Sequence, residues 1–249
     1  MTDTVSFGAH DPLPLTGERT APGIPEENYW FQRHVVAYEW ALEHVAGRRV
    51  LDAGCGEDYG TDLLATVATE AVGVDYEEPV LRRAAALYPR ARFETANLIA
   101  LPFTDDSFEA VVSMQTIEHL HSPQEFLAEC RRVLAPDGVL IITTPNRLTF
   151  SPDGLRNPFH TFEFAPDELR AAIAQHFSQA EMFGTFHAAG LRAFEATLQT
   201  SLPERLIEQQ ASEWSERLRA KVTSISPQDF TIKARKLDEC LDLVALARP

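Results

Sequence analysis

The feature that most restricts the fold of this chain is a regular alternation of short apolar segments with amphipathic ones. Strand-like segments lie at 49–51, 71–75, 92–95, 108–113 and 139–144, and helical patterns at 61–69, 78–87 and 123–134 fall among them. This alternation predicts βαβ units and a parallel sheet with helices on both faces. Segment 139–144 is almost continuously apolar, as a strand covered on both faces would be.

The rest of the chain is predicted to complete the same domain. Residues 1–25 contain four of the sixteen prolines and little periodicity, which is typical of an irregular arm. An amphipathic helix follows over 26–45. Further on, the pattern predicts a helix from 166 to about 177, a strand at 180–186, a helix over 203–221 and a last strand at 241–247. We therefore expect an arm or lid of residues 1–34 and one α/β domain over 35–249, with a helical insertion at about 188–230.

Charge and cysteine content exclude several classes of partner. The chain has 22 Lys and Arg against 37 Asp and Glu, a formal net charge of −15, so nucleic acid and anionic membranes would repel it. No apolar run reaches the roughly 18 residues of a membrane helix, and no secretory signal is recognisable. Three widely spaced cysteines fit a reduced, cytoplasmic protein.

A glycine-rich turn and a second acid predict a nucleoside site. Asp52-Ala-Gly54-Cys-Gly56 lies between a strand and a helix, where glycines allow a sharp turn and close approach of a ligand. Such a turn alone also occurs for purely structural reasons. Asp75, however, ends the next strand, where an acid can accept both hydroxyls of a ribose.

This order of residues resembles the class I S-adenosylmethionine-dependent methyltransferases over about 48–146. The resemblance implies a Rossmann-like fold with a mostly parallel, seven-stranded sheet. It places Asp52, Gly54 and Gly56 against the methionine part of S-adenosylmethionine, and Asp75 on the ribose. Further positions expected to contact the cofactor are Tyr29, Tyr76, Asn97, Leu98 and Gln115.

Two residues of the loop depart from related patterns. Asp58 stands where the methyltransferase family has its third glycine, with Gly60 two residues further on, so the loop path there stays open. A nicotinamide site would need Gly-x-Gly-x-x-Gly, but residue 59 is tyrosine. The methyl donor is therefore favoured over a dinucleotide.

The segment after the fourth strand carries the candidate chemistry. Glu118 and His119 follow this strand, and ligands of such sheets bind outside the carboxyl ends of the strands. The pair is also interpretable as a cap of the next helix. Together with His160, after the fifth strand, it resembles metal-dependent O-methyltransferases of small-RNA 3′ ends and of ubiquinone biosynthesis. That resemblance implies Glu118, His119 and His160 as ligands of Mg²⁺. Gln115 replaces a glutamate of those enzymes, so the need for a metal stays open.

An alcohol acceptor requires help in losing its proton. A metal lowers the pKa of a bound hydroxyl, or a general base removes the proton during attack. If no metal binds, His119 is the first candidate for the base, and His121 and His187 are the next candidates. We predict that His119, Glu118 and His187 form the catalytic set.

A second resemblance spans nearly the whole chain. Segments such as 16–20, 25–34, 157–160 and 241–249 are similar to actinobacterial methyltransferases encoded with the enzymes of methylmannose and methylglucose polysaccharides. It implies O-methylation of a sugar hydroxyl on an oligosaccharide, with a mannoside favoured over a glucoside. Small-RNA or quinone O-methylation, and a non-catalytic protein that binds S-adenosylmethionine, are the alternatives. Monomer and homodimer both remain open.

Overall fold

The computed structural model describes residues 20, 22–154 and 157–249, so most of the predicted arm lies outside the described residues. The strands of the described chain form one sheet in the order β3-β2-β1-β4-β5-β8-β6-β7. Strands β1 to β5 run parallel, and β8 lies antiparallel between β5 and β6. The predicted Rossmann-like, mostly parallel sheet is confirmed. Its strands are β1 Arg49–Ala53, β2 Glu70–Asp75, β3 Arg92–Thr95, β4 Phe108–Met114, β5 Leu134–Pro145, β6 Gln179–His187, β7 Phe230–Lys233 and β8 Asp242–Arg248.

Helices cover both faces of this sheet. They are α1 Asn28–Val45, α2 Tyr59–Leu64, α3 Glu78–Leu87, α4 Pro123–Val133, α5 Arg147–Phe150, α6 Pro166–Ile173, α7 Ala189–Glu195, α8 Leu202–Glu208 and α9 Glu216–Ser224. Strand β5 shows why its sequence is so apolar. Leu140 and Ile142 belong to the core under α4 and α6, whereas Val139 and Ile141 belong to the core under α1. Because side chains of a strand alternate between faces, both sets are buried.

Three predictions about the elements need correction. The sheet has eight strands rather than seven, because the short strand β7 pairs with β6 at the edge. The predicted helix over 203–221 is broken into α8 and α9, since Trp214 turns into the core and donates from Nε1 to the carbonyl of Gln209 at 3.1 Å. Ser215 then caps α9 by accepting from the amide of Leu218. Finally, α1 begins at Asn28, so 28–34, assigned to the arm, form its first turns.

The chain between β6 and β7 packs against the start of α1. Tyr29 of α1 shares a buried cluster with Leu202, Trp214 and Leu218 of this segment. Arg33 of α1 also forms a buried ion pair with Asp242 at the start of β8. The cluster fixes the segment against α1, and the ion pair fixes α1 against β8. Among the described residues, no helix combines the length and the apolar character needed to cross a bilayer.

Candidate active site

A cavity of about 920 Å³ opens at the carboxyl ends of β1, β2, β4 and β5, which is the size of a small-molecule site. The loops after these strands form its floor, and α1 and α8 form part of its wall. Of the predicted cofactor residues, those that line it are Gly54, Gly56, Asp75, Tyr76, Asn97, Leu98 and Gln115. Glu118, His119 and His160 line the same cavity.

The glycine-rich turn adopts a backbone that requires glycine. Gly54 and Gly56 have φ angles of +82° and +56°, in the left-handed region. A Cβ atom on Gly54 would lie 2.5 Å from Oγ1 of Thr116. The amides of Gly54 and Cys55 both donate to the carbonyl of Val74, at 2.9 and 3.0 Å. The turn therefore folds tightly over the ends of β1 and β2 and leaves the cavity open above it.

Asp75 is held in one orientation at the cavity wall. Its Oδ1 accepts from the amides of Tyr76 and Glu77, at 2.7 and 3.2 Å, and its Oδ2 accepts from the amide of Gly56 at 3.1 Å. The last bond joins the two motifs that the sequence placed 19 residues apart. The carboxylate is therefore preorganised beside the glycine-rich turn.

Asp52 supports the turn from below instead of lining the cavity. It is fully buried, and Thr61 Oγ1 donates to its Oδ2 at 2.7 Å, while the hydroxyl of Tyr38 lies 3.3 Å from both carboxylate oxygens. Burial raises the pKa of Asp52 to about 7. The prediction that its carboxylate contacts the cofactor directly is not supported by this position.

Asp58 explains how the loop continues without the third glycine. Its φ angle is +68°, the conformation that glycine adopts most easily. The buried carboxyl accepts a hydrogen bond from Sγ of Cys55 at 2.9 Å, and burial raises its pKa to about 8. An aspartate thus adopts the left-handed backbone at this position of the loop.

Glu118, His119 and His160 come together at the other end of the cavity. One ligating atom from each lies within 4.8 Å of the others. Glu118 and His119 are on the 3₁₀ turn Ile117–His119 after β4, and His160 is on the loop after β5. Thr144 of β5 donates to Glu118 Oε2 at 3.0 Å. Burial raises the pKa of Glu118 to about 8.

The loop 157–163 orients both imidazoles. His119 Nδ1 donates to the carbonyl of Phe159 at 3.1 Å, and His160 Nδ1 lies 2.6 Å from Oε1 of Glu163. The amide of Thr161 donates to the carbonyl of Glu118 at 2.8 Å and so ties this loop to the 3₁₀ turn. Burial and the nearby His160 lower the pKa of His119 to about 4, which keeps its ring neutral at pH 7.

These residues fit a divalent metal ion. Metal-bound histidines usually donate their second ring nitrogen to a carboxylate or a carbonyl, as His160 and His119 do here. One carboxylate and two imidazoles suit a divalent transition ion better than Mg²⁺, which prefers oxygen ligands. The identity of the predicted ion, Mg²⁺, is therefore not what this donor set favours.

Two predicted residues, Tyr29 and His187, do not reach the cavity. The hydroxyl of Tyr29 donates to His187 Nε2 at 2.8 Å, and His187 Nδ1 donates to Glu195 Oε2 at 3.1 Å. Both ring nitrogens of His187 are engaged and both residues are buried, so neither contact with the cofactor nor a role as base follows from their position. His121, another predicted base, is exposed. Tyr29 and His187 instead connect α1 to the segment after β6.

Several cavity residues were not predicted from the sequence. Arg33 and His34 of α1 line the wall beside Trp30, and Ile207 of α8 does so from the other side. The spacing of 30, 33 and 34 places these three side chains on one helix face. This spacing is the sequence signal from which these three cavity residues could have been predicted. No such pattern in the sequence indicates that Ile207 lines the cavity.

Comparison with known proteins defines the class of this chain. Residues 51–142 match the family model described as a methyltransferase domain. A protein of Mycolicibacterium smegmatis is 45% identical over 243 residues, which cover 94% of this chain and 95% of that protein. The chain therefore belongs to the class I S-adenosylmethionine-dependent methyltransferases, the family that its sheet and glycine-rich loop also indicate.

The individual relatives are named only in general terms. The M. smegmatis protein is called "Probable S-adenosylmethionine-dependent methyltransferase", and so is a Mycobacterium tuberculosis protein that is 42% identical over 94% of this chain and 89% of its own length. A ubiquinone biosynthesis O-methyltransferase of Roseobacter denitrificans is 34% identical over 42% of this chain and 44% of its own. Among solved structures, an S-adenosylmethionine-dependent methyltransferase of Thermotoga maritima superimposes with a TM-score of 0.59 at 20% identity, covering 90% of this chain and 94% of that one. This last similarity shows the fold alone.

Proposed function

We propose that this methyltransferase transfers the methyl group of S-adenosylmethionine to a hydroxyl of an oligosaccharide, with a mannoside favoured over a glucoside. The observation that carries the proposal is the cluster of Glu118, His119 and His160 in the cavity that the cofactor loops also line. A hydroxyl is a poor nucleophile until its proton is removed, so such a cluster has a function in O-methylation.

The order of the strands supports this arrangement of ligands. Because the sheet runs β3-β2-β1-β4-β5, the adenine would lie beside Asn97 and Leu98 after β3, and the ribose on Asp75 after β2. The methionine part would then lie over the turn at Gly54 and Gly56 after β1. The sulfonium end would then point towards β4 and β5, where the cluster lies.

The chain's own residues would activate and orient the acceptor. The methyl group already carries the reactivity of a sulfonium, so catalysis requires an oxygen in line with it and a destination for the proton. If no metal binds, His119 is the candidate that accepts that proton, because its ring is neutral and its Nε2 is not engaged by Phe159. A divalent ion on Glu118, His119 and His160 would supply a Lewis acid that lowers the pKa of a hydroxyl.

The cavity wall favours a sugar. Trp30, Phe150 and Phe159 place aromatic rings beside carboxylates and imidazoles, a combination that contacts both the apolar faces and the hydroxyls of a pyranose. The acidic charge of the chain is unfavourable for RNA. The ubiquinone O-methyltransferase matches this chain over 111 residues only, so its similarity does not extend to α1 and the segment after β6 together.

The test is transfer of labelled methyl to a panel of synthetic mannosides, glucosides, a quinone precursor and RNA, with mass-spectrometric detection of the product. Each reaction is run with EDTA and with added Mn²⁺ or Mg²⁺. We expect His119→Ala to lose at least about 100-fold in kcat, in the range of a general base, while its affinity for S-adenosylhomocysteine stays unchanged. The exposed His121→Ala is the matched control and should retain full activity. Transfer to the quinone or RNA alone would refute the sugar acceptor.

We also propose that the part of the predicted 1–34 lid that precedes α1, residues 1–27, acts as a lid on the bound cofactor. Thr20, Glu26 and Glu27 line the cavity, and Oγ1 of Thr20 lies 3.2 Å from Nδ1 of His34. Limited proteolysis with and without S-adenosylhomocysteine tests the lid. Cleavage within this segment should slow when the ligand is bound, and equal rates would contradict it.

A further inference from the structure

A buried carboxylate lies behind the histidine of loop 157–163. Glu163 is 1% exposed, and its Oε1 is 2.6 Å from Nδ1 of His160. Its other oxygen, Oε2, is buried and has no hydrogen-bond partner among the described residues. Burial of a carboxylate with an unsatisfied oxygen is unfavourable, so the residue needs a compensating role. Of the contacts of Glu163, the one with His160 reaches a residue that lines the cavity.

This contact determines which nitrogen of His160 faces the cavity. With Glu163 as acceptor, the ring carries its hydrogen on Nδ1 and keeps a lone pair on Nε2. The rings of His160 and His119 have their centroids 5.0 Å apart, and the carbonyl of Phe159 holds His119 in the same tautomer. Residues of one short loop therefore supply both acceptors.

A second histidine–glutamate pair in the protein shows the contrast. His187 contacts Glu195 through Nδ1, but Tyr29 occupies its Nε2, so neither nitrogen is left to bind a ligand. His160 also differs in lining the cavity beside Glu118. The two pairs share their chemistry, but of the two histidines only His160 lines the cavity.

We propose that Glu163 is a positioning residue of this site: it fixes the tautomer and direction of His160 so that Nε2 binds a divalent transition ion together with Glu118 and His119. The proposal rests on the metal site of the proposed function. It is independent of the acceptor, because metal affinity is measurable without any sugar. Glu163 itself does not contact the ion. Acting through His160, it raises the affinity and the basicity of that ligand.

The experiment is a titration of the full chain with Mn²⁺ at pH 7.5, followed by the electron paramagnetic resonance signal of the free ion. The variants are Glu163→Ala, Glu163→Gln and, as the matched control from the second pair, Glu195→Gln. We expect Glu163→Ala to raise the Kd for Mn²⁺ about 10- to 100-fold, the usual effect of losing such a partner. Glu163→Gln keeps an acceptor oxygen and should lose less. Glu195→Gln should bind Mn²⁺ like the wild type.

The affinity for S-adenosylhomocysteine, measured by calorimetry, should be equal in all these variants. Wild-type affinity for Mn²⁺ in Glu163→Ala would overturn the role of Glu163, and so would a wild-type chain that binds no Mn²⁺ at millimolar concentration. If Glu163→Ala does not fold, Glu163→Gln and Glu163→Asp are judged by the same shift in Kd. Failure of the sugar assay alone would refute the proposed acceptor and leave this result standing.

Discussion

Replacing Gly54 with alanine tests whether the cofactor loop depends on glycine. The added Cβ meets two obstacles, a φ angle of +82° and the side chain of Thr116, whose Oγ1 would be 2.5 Å away. Gly47, after α1, provides the matched control. Its φ angle is +72°, but a Cβ there would have no atom within 4 Å.

The difference between the two variants isolates the steric term. The left-handed backbone alone disfavours alanine by about 1–2 kcal/mol, which is the whole loss expected for Gly47→Ala. Overlap in a packed region adds about 1–3 kcal/mol, so Gly54→Ala should lose roughly 2–5 kcal/mol. A protein of this kind has about 5–15 kcal/mol of total stability. Gly54→Ala should therefore still fold, but its melting temperature should be visibly lower than that of the wild type.

Urea denaturation of both variants measures these losses, and calorimetry with S-adenosylhomocysteine measures the effect on the site. Gly54→Ala should bind the ligand more weakly, whereas Gly47→Ala should bind it normally. Adding Thr116→Ala to Gly54→Ala removes Oγ1 and Cγ2 and should recover part of the loss, as a double-mutant cycle would report. Equal stability of the two single variants would refute the steric argument.

Three further outcomes follow from other contacts. Asp75→Ala should weaken the binding of S-adenosylhomocysteine about 10- to 100-fold in calorimetry, because it removes hydrogen bonds to a charged group. An unchanged Kd would exclude Asp75 from the site. Asp242→Asn leaves the guanidinium of Arg33 buried without its charged partner and should reduce the free energy of unfolding by about 3–5 kcal/mol in urea; a loss below about 1 kcal/mol would contradict this. For pH, the folded state keeps the proton of Asp58 up to about pH 8, whereas the unfolded chain loses it near pH 4. The protein without ligand should therefore become less stable as pH rises between these values, and Asp58→Asn should flatten that slope in urea titrations at pH 5, 6.5 and 8.

The parts of the fold that were predictable carry local signals. Strand β5 was located because its apolar run is nearly continuous, and helix α3 (Glu78–Leu87) because its apolar residues follow the period of a helix. Strand β7 was missed because four residues at the edge of a sheet show too little alternation to be distinguished from a loop. The break between α8 and α9 was missed for a different reason. The direction in which Trp214 turns depends on the buried cluster that it joins.

The candidate site likewise contains residues that the sequence predicts and residues whose role depends on packing. Gly54, Gly56 and Asp75 were found from the sequence, because a turn with positive φ angles and an acid at a strand end need those residue types wherever the rest of the chain lies. Tyr29 and His187 were equally plausible by residue type, yet they satisfy each other in the core. Residue type therefore predicted what each side chain can do, and packing decided whether it is available.

By itself, the sequence determined the order of the elements, the parallel arrangement of the central strands and the loop at Gly54, since these follow from local periodicity and backbone geometry. Only the tertiary structure decided how the implied ligands meet, and that Tyr29 and His187 lie outside the cavity. His119 and His160 are 41 residues apart, and they meet because Thr161 ties the loop after β5 to the turn after β4. Such a meeting depends on the path of two loops in space, so the sequence implied it only through the resemblance to metal-dependent O-methyltransferases and not through local periodicity.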